Sequence, residues 1–211
     1  MMNFLKKLEE IAAEGLDIRI GIIGIGHMGR GLCANLERIA GIQISAIATK
    51  DVESTIDFIL EQKVKKLDEI ILLSFGSCRE LYKNKRINQI AISSDLTEQD
   101  LNKIINNPDF FEKLIITDNS DIISLIQSVE VIIDATGKPQ VGAKVALSSI
   151  LNKKHIVTLN VECDVTIGPI LKNAKLAAEI LEKQYHISIR IISMSTLKQL
   201  DKNIIFKAAE A

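Results

Sequence analysis

Three glycines spaced as GxGxxG constrain this chain more than any other feature of its sequence. They are Gly24, Gly26 and Gly29, and the apolar run 18–23 before them has the length of a buried strand. Apolar residues at helical spacing follow over 32–39, and a second apolar run covers 42–48. The pattern predicts a strand, a glycine turn, a helix and a second strand, a unit of about thirty residues.

Strand-length and helix-length segments continue to alternate along the rest of the chain. Further strands are predicted at 70–73, 90–92, 114–116, 129–135, 156–159 and 187–192. Helices are predicted at 4–12, 52–66, 97–107, 121–127, 141–151 and 170–183. This order predicts an α/β fold of the Rossmann type, with a doubly wound, mostly parallel sheet covered on both faces. We expect an N-terminal helix over 1–16, the Rossmann domain over 17–193 and a divergent tail over 194–211.

Composition excludes several classes of function. The 26 basic and 27 acidic residues nearly cancel, and aromatic residues make up 4% of the chain, with no Trp. We therefore expect neither a nucleic-acid partner nor a membrane partner. No signal peptide and no apolar run of membrane-spanning length stands out. Three widely spaced cysteines suit a reducing compartment, so a cytoplasmic protein with a small-molecule partner is predicted.

The glycine loop has the chemistry of a dinucleotide site. In this context Gly24 would make the turn, Gly26 would admit a pyrophosphate against the backbone, and Gly29 would let the helix pack on the sheet. Free amides at the helix start would face the phosphates. His27 and Met28 lie within the loop, and His27 is either a phosphate contact or a solvated side chain. The alternative is a turn that is structural only.

The residues after the second strand favour NADP over NAD. NAD sites usually place an acidic residue about twenty positions beyond the loop, where it binds the adenosine ribose. Thr49 and Lys50 occupy that place here, and a hydroxyl and an ammonium suit a 2′-phosphate. Asp51, one residue later, is the argument for NAD. The alternative for Lys50 is a solvated surface charge.

Two further segments carry a family resemblance. Residues 131–137 read VIIDATG and residues 160–169 read NVECDVTIGP. Together with the glycine loop they resemble the homoserine-dehydrogenase-like NAD(P)-binding oxidoreductases. Within that group the chain is most similar to the 1-deoxy-D-xylulose-5-phosphate-reductoisomerase-like subfamily, which often carries an additional C-terminal SAF-type region. The resemblance covers roughly residues 19–175.

The resemblance implies where the nicotinamide half of the cofactor lies. Ala135, Thr136 and Gly137 would line the cofactor cleft beside the nicotinamide ribose, and Asn160 would approach the nicotinamide. These segments follow predicted strands, and ligands of a doubly wound sheet bind at the carboxyl ends of its strands.

Two carboxylates follow Asn160 and are candidate catalytic residues. Glu162 and Asp164 could bind a divalent metal or move a proton during carbonyl reduction. The alternative is that both are solvated acids that start a helix.

The chain departs from the family after this point. Family members continue for a comparable length into a substrate-binding domain, whereas residues 194–211 look unlike that continuation. One hypothesis is an NADP-dependent oxidoreductase acting on a small hydroxy or carbonyl compound, such as a sugar phosphate. The alternative is a truncated, non-catalytic dinucleotide-binding module or remnant. A third hypothesis, a homo-oligomer or a subunit completed by a separate C-terminal polypeptide, predicts an exposed apolar patch near 187–206.

Overall fold

One parallel sheet organises the fold. The computed structural model describes residues 4–75, 88–92, 97–163, 165 and 191–193. The strands of these residues are β1 Ile18–Ile23, β2 Ile42–Ala48, β3 Ile70–Ser74, β4 Asn88–Ala91, β5 Leu114–Thr117, β6 Val131–Asp134, β7 His155–Thr158 and β8 Ile191–Ser193. The helices are α1 Phe4–Ala13, α2 His27–Leu36, α3 Val52–Glu61, α4 Glu98–Ile105 and α5 Pro139–Leu151. Short 3-10 helices cover Leu67–Glu69, Pro108–Phe110 and Ser120–Leu125.

The strand order is that of a doubly wound sheet. It runs β4-β3-β5-β2-β1-β6-β7-β8, and every neighbouring pair is parallel. β1 is the point where the order reverses, because β2 flanks it on one side and β6 on the other. The predicted Rossmann-type α/β fold is therefore confirmed. β3 and β4 extend the sheet beyond β5.

Aliphatic side chains fill the space on both faces of the sheet. Successive residues of β1 point to opposite faces, so Ile22 belongs to one core cluster and Ile23 to the other. The first cluster includes Ile56 of α3, and the second includes Val145 of α5. Strands buried on both faces need continuous apolar runs, which explains why these strands could be predicted from the sequence.

Local signals set the bounds of several helices. Asp51 begins α3 by accepting a hydrogen bond from the amide of Ser54 at 3.1 Å, and Thr97 begins α4 by accepting one from the amide of Asp100 at 3.2 Å. After α1 ends, Gly15 adopts φ +73°, a left-handed conformation that favours glycine just beyond a helix.

Three predicted segments either differ from the structure or lie outside the described residues. The segment predicted as a helix over 121–127 is the 3-10 helix Ser120–Leu125, a form that suits a short connection between two strands. The predicted helix 170–183 and the divergent tail 194–211 lie outside the described residues. Among the helices that the structure does describe, none has the length and apolar character needed to cross a membrane.

Candidate functional site

The glycine loop lies at the carboxyl end of β1, between the segments that follow β2 and β6. Gly24 adopts φ +93° and its amide donates to the carbonyl of Ala48 at 2.9 Å. A methyl group placed on Gly24 would lie 3.0 Å from the carbonyl carbon and oxygen of Ala135. Both the positive φ and the crowding require glycine at this turn.

The other two glycines of the motif have different surroundings. Gly29 is buried, and a methyl group there would overlap the carbonyl oxygen of Gly24. Gly26 is exposed, and a methyl group there would meet no atom within 4 Å. Gly26 is also the N-cap of α2, which none of the described side chains caps. The start of α2 therefore has no side-chain cap, and its N-cap residue is a glycine with free space where a side chain would begin.

Three side chains border this opening. His27 and Met28 are exposed. Arg30 is half-buried, donates a hydrogen bond to the hydroxyl of Ser54, and lies 5.3 Å from the centroid of the Phe58 ring. The guanidinium thus joins the first turn of α2 to the first turn of α3, at the carboxyl ends of β1 and β2.

The residues after β2 are arranged as follows. Thr49 is buried, its amide donates to the carbonyl of Thr117 at 2.9 Å, and its hydroxyl accepts a hydrogen bond from the Thr55 hydroxyl at 3.1 Å. Lys50 is exposed. Asp51 places one carboxylate oxygen on the amide that starts α3. Of the two residues predicted to face a 2′-phosphate, Lys50 is therefore the one with open access to solvent.

A buried carboxylate closes the end of β6. Asp134 has no exposed surface, and its Oδ1 accepts hydrogen bonds from the amide of Thr136 at 2.9 Å and from the Thr136 hydroxyl at 2.6 Å. Its Oδ2 accepts one from the Asn160 amide group at 3.3 Å. Burial raises the pKa of Asp134, and the hydrogen bonds from Thr136 and Asn160 act in the opposite direction. Ala135 and Thr136 are half-buried, and Gly137 is exposed.

Asn160 is buried after β7 and engages protein atoms at both ends of its side chain. Its Nδ2 lies 3.0 Å from the carbonyl oxygen of Lys138 and 3.2 Å from the Thr136 hydroxyl, in addition to Asp134. Its Oδ1 accepts a hydrogen bond from the amide of Cys163 at 3.0 Å. The contact of Asn160 with the nicotinamide stays a prediction. In this arrangement both ends of the Asn160 side chain form hydrogen bonds with protein atoms.

One glycine of α5 makes this cluster possible. A methyl group on Gly142 would lie 2.6 Å from Asp134 Oδ2, 2.7 Å from Cys163 Sγ and 2.9 Å from Asn160 Nδ2. Cys163 is 1% exposed. The polar groups at the ends of β6 and β7 therefore occupy the space that any other residue at position 142 would fill.

One of the two candidate catalytic carboxylates lies within the described residues. Glu162 is exposed on a helical turn over 161–163, and Asp164 lies outside the described residues. Within the described part of the chain, no group of three His, Cys, Asp or Glu side chains could hold a metal ion. The proposed metal and proton-transfer roles of Glu162 and Asp164 stay predictions.

A cavity of about 540 Å³ opens at the same edge of the sheet. Phe75 after β3, Asp118 after β5 and Gln140 at the start of α5 line it. The amide of Phe75 donates to the Asp118 carboxylate at 2.8 Å, and Lys144 forms an ion pair with Asp121 at its rim. Space for a ligand thus lies beside the segments that follow β3, β5 and β6.

Sequence reasoning named the loops of this site but not the residues that hold them. Asp134 ends an apolar run, and Gly142 lies inside the predicted helix 141–151, near its start. An isolated glycine in a helix often has a packing reason, so Gly142 was a usable signal. Nothing in the sequence pairs Asp134 with Asn160, or Arg30 with Ser54, because these partners are 26 and 24 positions apart.

Comparison with known proteins gives similarity in solved structures alone. No protein-family model and no curated protein matches the sequence. Among solved structures, the chain is similar to 1-deoxy-D-xylulose 5-phosphate reductoisomerase from Zymomonas mobilis in complex with NADPH. The TM-score is 0.47 at 13% identity, over 84% of this chain and 38% of that one.

Two further solved structures show the same kind of similarity. Myo-inositol dehydrogenase from Lactobacillus casei, in complex with NAD(H) and myo-inositol, matches with a TM-score of 0.44 at 14% identity, over 92% of this chain and 41% of that one. An NAD binding oxidoreductase from Klebsiella pneumoniae matches with a TM-score of 0.37 at 14% identity, over 84% and 34%. The chain spans 33% to 41% of the length of such structures. Membership of the homoserine-dehydrogenase-like family stays a prediction.

Proposed function

We propose that this chain binds a nicotinamide dinucleotide at the carboxyl end of β1 and functions as an NADP-dependent oxidoreductase. The observation that carries the proposal is the contrast within the glycine motif. Gly24 and Gly29 are required by the packing of the protein itself, whereas nothing in the described protein crowds Gly26. A glycine at an uncrowded N-cap, beside uncapped amides, suits the close approach of a ligand phosphate.

The two halves of the cofactor would lie on opposite sides of β1. A pyrophosphate at the start of α2 would accept hydrogen bonds from its free amides, where the helix dipole also favours negative charge. The adenosine half would then extend over the end of β2, and the nicotinamide half over the ends of β6 and β7. When bound, the cofactor supplies hydride transfer, while the chain binds and orients it.

The charges near the end of β2 favour a 2′-phosphate. Lys50 is exposed there, and the Arg30 guanidinium is held at the adjoining helix starts by Ser54. Arginine near this point accommodates the 2′-phosphate of NADP in sites of this kind. The carboxylate of Asp51, which would favour NAD, already accepts a hydrogen bond from the amide of Ser54.

Binding of NADPH to the full chain, followed by nicotinamide fluorescence, tests the site. We expect the wild type to bind, and Gly26→Ala to bind about 100-fold more weakly, because a methyl group would disrupt several hydrogen bonds to a charged phosphate. Gly26→Ala should fold and lose no more than about 1 kcal/mol of stability, since its methyl group meets no protein atom and alanine is only a poorer N-cap than glycine. Gly31→Ala is the matched control, because Gly31 is also uncrowded but lies one turn further along α2. Absence of NADPH binding by the wild type, or unchanged affinity in Gly26→Ala, would contradict the proposal.

The preference for NADP is tested by comparing NADPH with NADH. Lys50→Ala should weaken NADPH binding about fivefold and leave NADH binding unchanged, because one exposed ion pair contributes roughly 1 kcal/mol. Lys6→Ala is the control, since Lys6 is exposed on α1, which precedes the amino end of β1. Equal losses for both coenzymes, or tighter binding of NADH by the wild type, would overturn the preference.

The substrate proposed is a small hydroxy or carbonyl compound, such as a sugar phosphate. The cavity beside Phe75 and Gln140 has the size of a small-molecule site. Oxidation of NADPH with a panel of aldehydes, ketones and sugar phosphates tests this step. Tight NADPH binding without turnover on any member would retain the dinucleotide site and favour the non-catalytic binding module.

A further inference from the structure

We propose that Asp134 is a positioning residue, whose buried carboxylate fixes the two loops that receive the nicotinamide half of the cofactor. The inference rests on the proposed dinucleotide site. It assigns to Asp134 and Asn160 a role in holding the site from beneath, rather than a contact with the cofactor.

The first step is the link between Asp134 and the loop after β6. One carboxylate oxygen accepts both the amide and the hydroxyl of Thr136, at 2.9 and 2.6 Å. These two hydrogen bonds fix the turn that carries Ala135 against Gly24. A hydrogen bond to a charged acceptor is stronger than one between neutral groups, so the turn is held firmly.

The second step is the link between this turn and the segment after β7. The other oxygen of Asp134 accepts a hydrogen bond from Asn160, which also reaches the carbonyl of Lys138 and the hydroxyl of Thr136. Lys138 is the N-cap of α5, and Asn160 Oδ1 binds the amide of Cys163 in the next helical turn. Asp134 and Asn160 thus link the loop after β6 and the segment after β7. They also connect these segments to the start of α5 and to the turn over 161–163.

The third step is that the packing around the cluster maintains these contacts. Gly142 of α5 leaves room for Asp134, Asn160 and Cys163, each within 3 Å of where its methyl group would be. Asp134 has no exposed surface and Asn160 is 2% exposed, so water does not compete for their hydrogen bonds. Apolar residues of similar size would stabilise a fold at least as well as a buried charge. What the Asp134 carboxylate adds is therefore a set of directional hydrogen bonds. They lie at the ends of β6 and β7, where the nicotinamide half of the cofactor is proposed to bind.

The experiment compares two ligands on two variants of the full chain. Asp134→Asn puts an NH₂ group against a hydrogen-bond donor, and Gly142→Ala intrudes on the cluster without removing any of its polar groups. The ligands are NADPH and adenosine 2′,5′-bisphosphate, which lacks the nicotinamide half.

We expect both variants to bind NADPH about tenfold more weakly, as for one lost hydrogen bond to a charged group. Both should bind the bisphosphate within about twofold of wild type, because no group near β2 has changed. Gly31→Ala is again the control for adding a methyl group to a helix.

The outcomes separate this inference from the proposed function. Wild-type chain that binds neither ligand contradicts the dinucleotide site itself. Wild-type binding of NADPH with unchanged affinity in both variants retains that site and overturns the role of Asp134. An equal loss of affinity for both ligands, or failure of both variants to fold, would show that the cluster contributes to stability alone. Either result would also overturn the proposed role of Asp134.

Discussion

Gly29 and Gly31 are two positions apart in α2, yet a methyl group would meet very different surroundings at each. At Gly29 it would overlap the carbonyl oxygen of Gly24, whereas at Gly31 it would meet nothing within 4 Å. Gly29→Ala should therefore lower the free energy of unfolding by about 2 kcal/mol or more, as overpacking does. Gly31→Ala should raise it by roughly 0.5–1 kcal/mol, because alanine favours a helix over glycine. Urea denaturation followed by circular dichroism measures both, and equal effects would contradict the packing described here.

At this scale the sequence predicted the motif but not all of its supporting contacts. The glycine spacing, together with the predicted strand before it and the predicted helix after it, assigned separate tasks to Gly24, Gly26 and Gly29, because each glycine in this fingerprint has a known steric reason. Asp134 escaped prediction as a site residue, because its importance depends on Asn160, which comes close only when β6 and β7 pair. Local patterns contain no information about such distant partners.

Glu37, the C-cap residue of α2, makes the stability of the fold depend on pH. Burial raises the pKa of Glu37 above its ordinary value of 4.5, against the opposing effects of Lys65 and of the amide of Ile44. Within the described residues, Glu37 Oε2 is buried and has no hydrogen-bond partner. The folded chain therefore holds this proton more tightly than the unfolded chain does. Its contribution to stability is fully present below pH 4.5 and is lost as the pH rises through the raised value.

Glu37→Gln should therefore change how stability depends on pH. The variant lacks the titrating group, so its free energy of unfolding relative to wild type should increase between pH 4 and pH 7. Denaturant titrations at several pH values measure this difference. Glu9→Gln, on the exposed face of α1, is the control. A difference that stays constant with pH would show that Glu37 has no raised pKa.

Helices and strands were predictable because burial on both faces produces apolar runs and amphipathic helices produce regular spacing. The segment over 121–127 was predicted as a helix and forms a 3-10 helix over Ser120–Leu125, since the spacing of so few apolar residues does not separate the two forms.

For the molecule as a whole, ligand binding and stability should be linked. A ligand that binds only the folded chain stabilises it by about 2.7 kcal/mol at 100 times its dissociation constant. For a chain of this size we expect NADPH at that concentration to raise the Tm by about 5–10 °C. The matched measurement on Gly26→Ala should show a shift of only about 1–2 °C, because at 100-fold weaker binding the same concentration equals the dissociation constant of the variant. A wild-type Tm that does not respond to NADPH would contradict the proposed site.

The order of strands was beyond sequence reasoning. The sequence predicted every strand of the β5, β2, β1 and β6 centre, but not that β5 would lie between β2 and β3. That arrangement depends on which edge each crossover reaches, and the right-handed rule leaves more than one edge available.

The position of β1 between β2 and β6 has a consequence for biosynthesis. The turn at Gly24 is bounded by Ala135, which the ribosome adds more than a hundred residues later. Until β6 has left the exit tunnel, β1 is a strand with one open edge and the glycine loop lacks one of its walls. Such late pairing slows folding and leaves strand edges exposed during translation. A nascent chain that ends before Ala135 therefore lacks one wall of the glycine loop, so the proposed binding of a dinucleotide there must follow the pairing of β6 with β1.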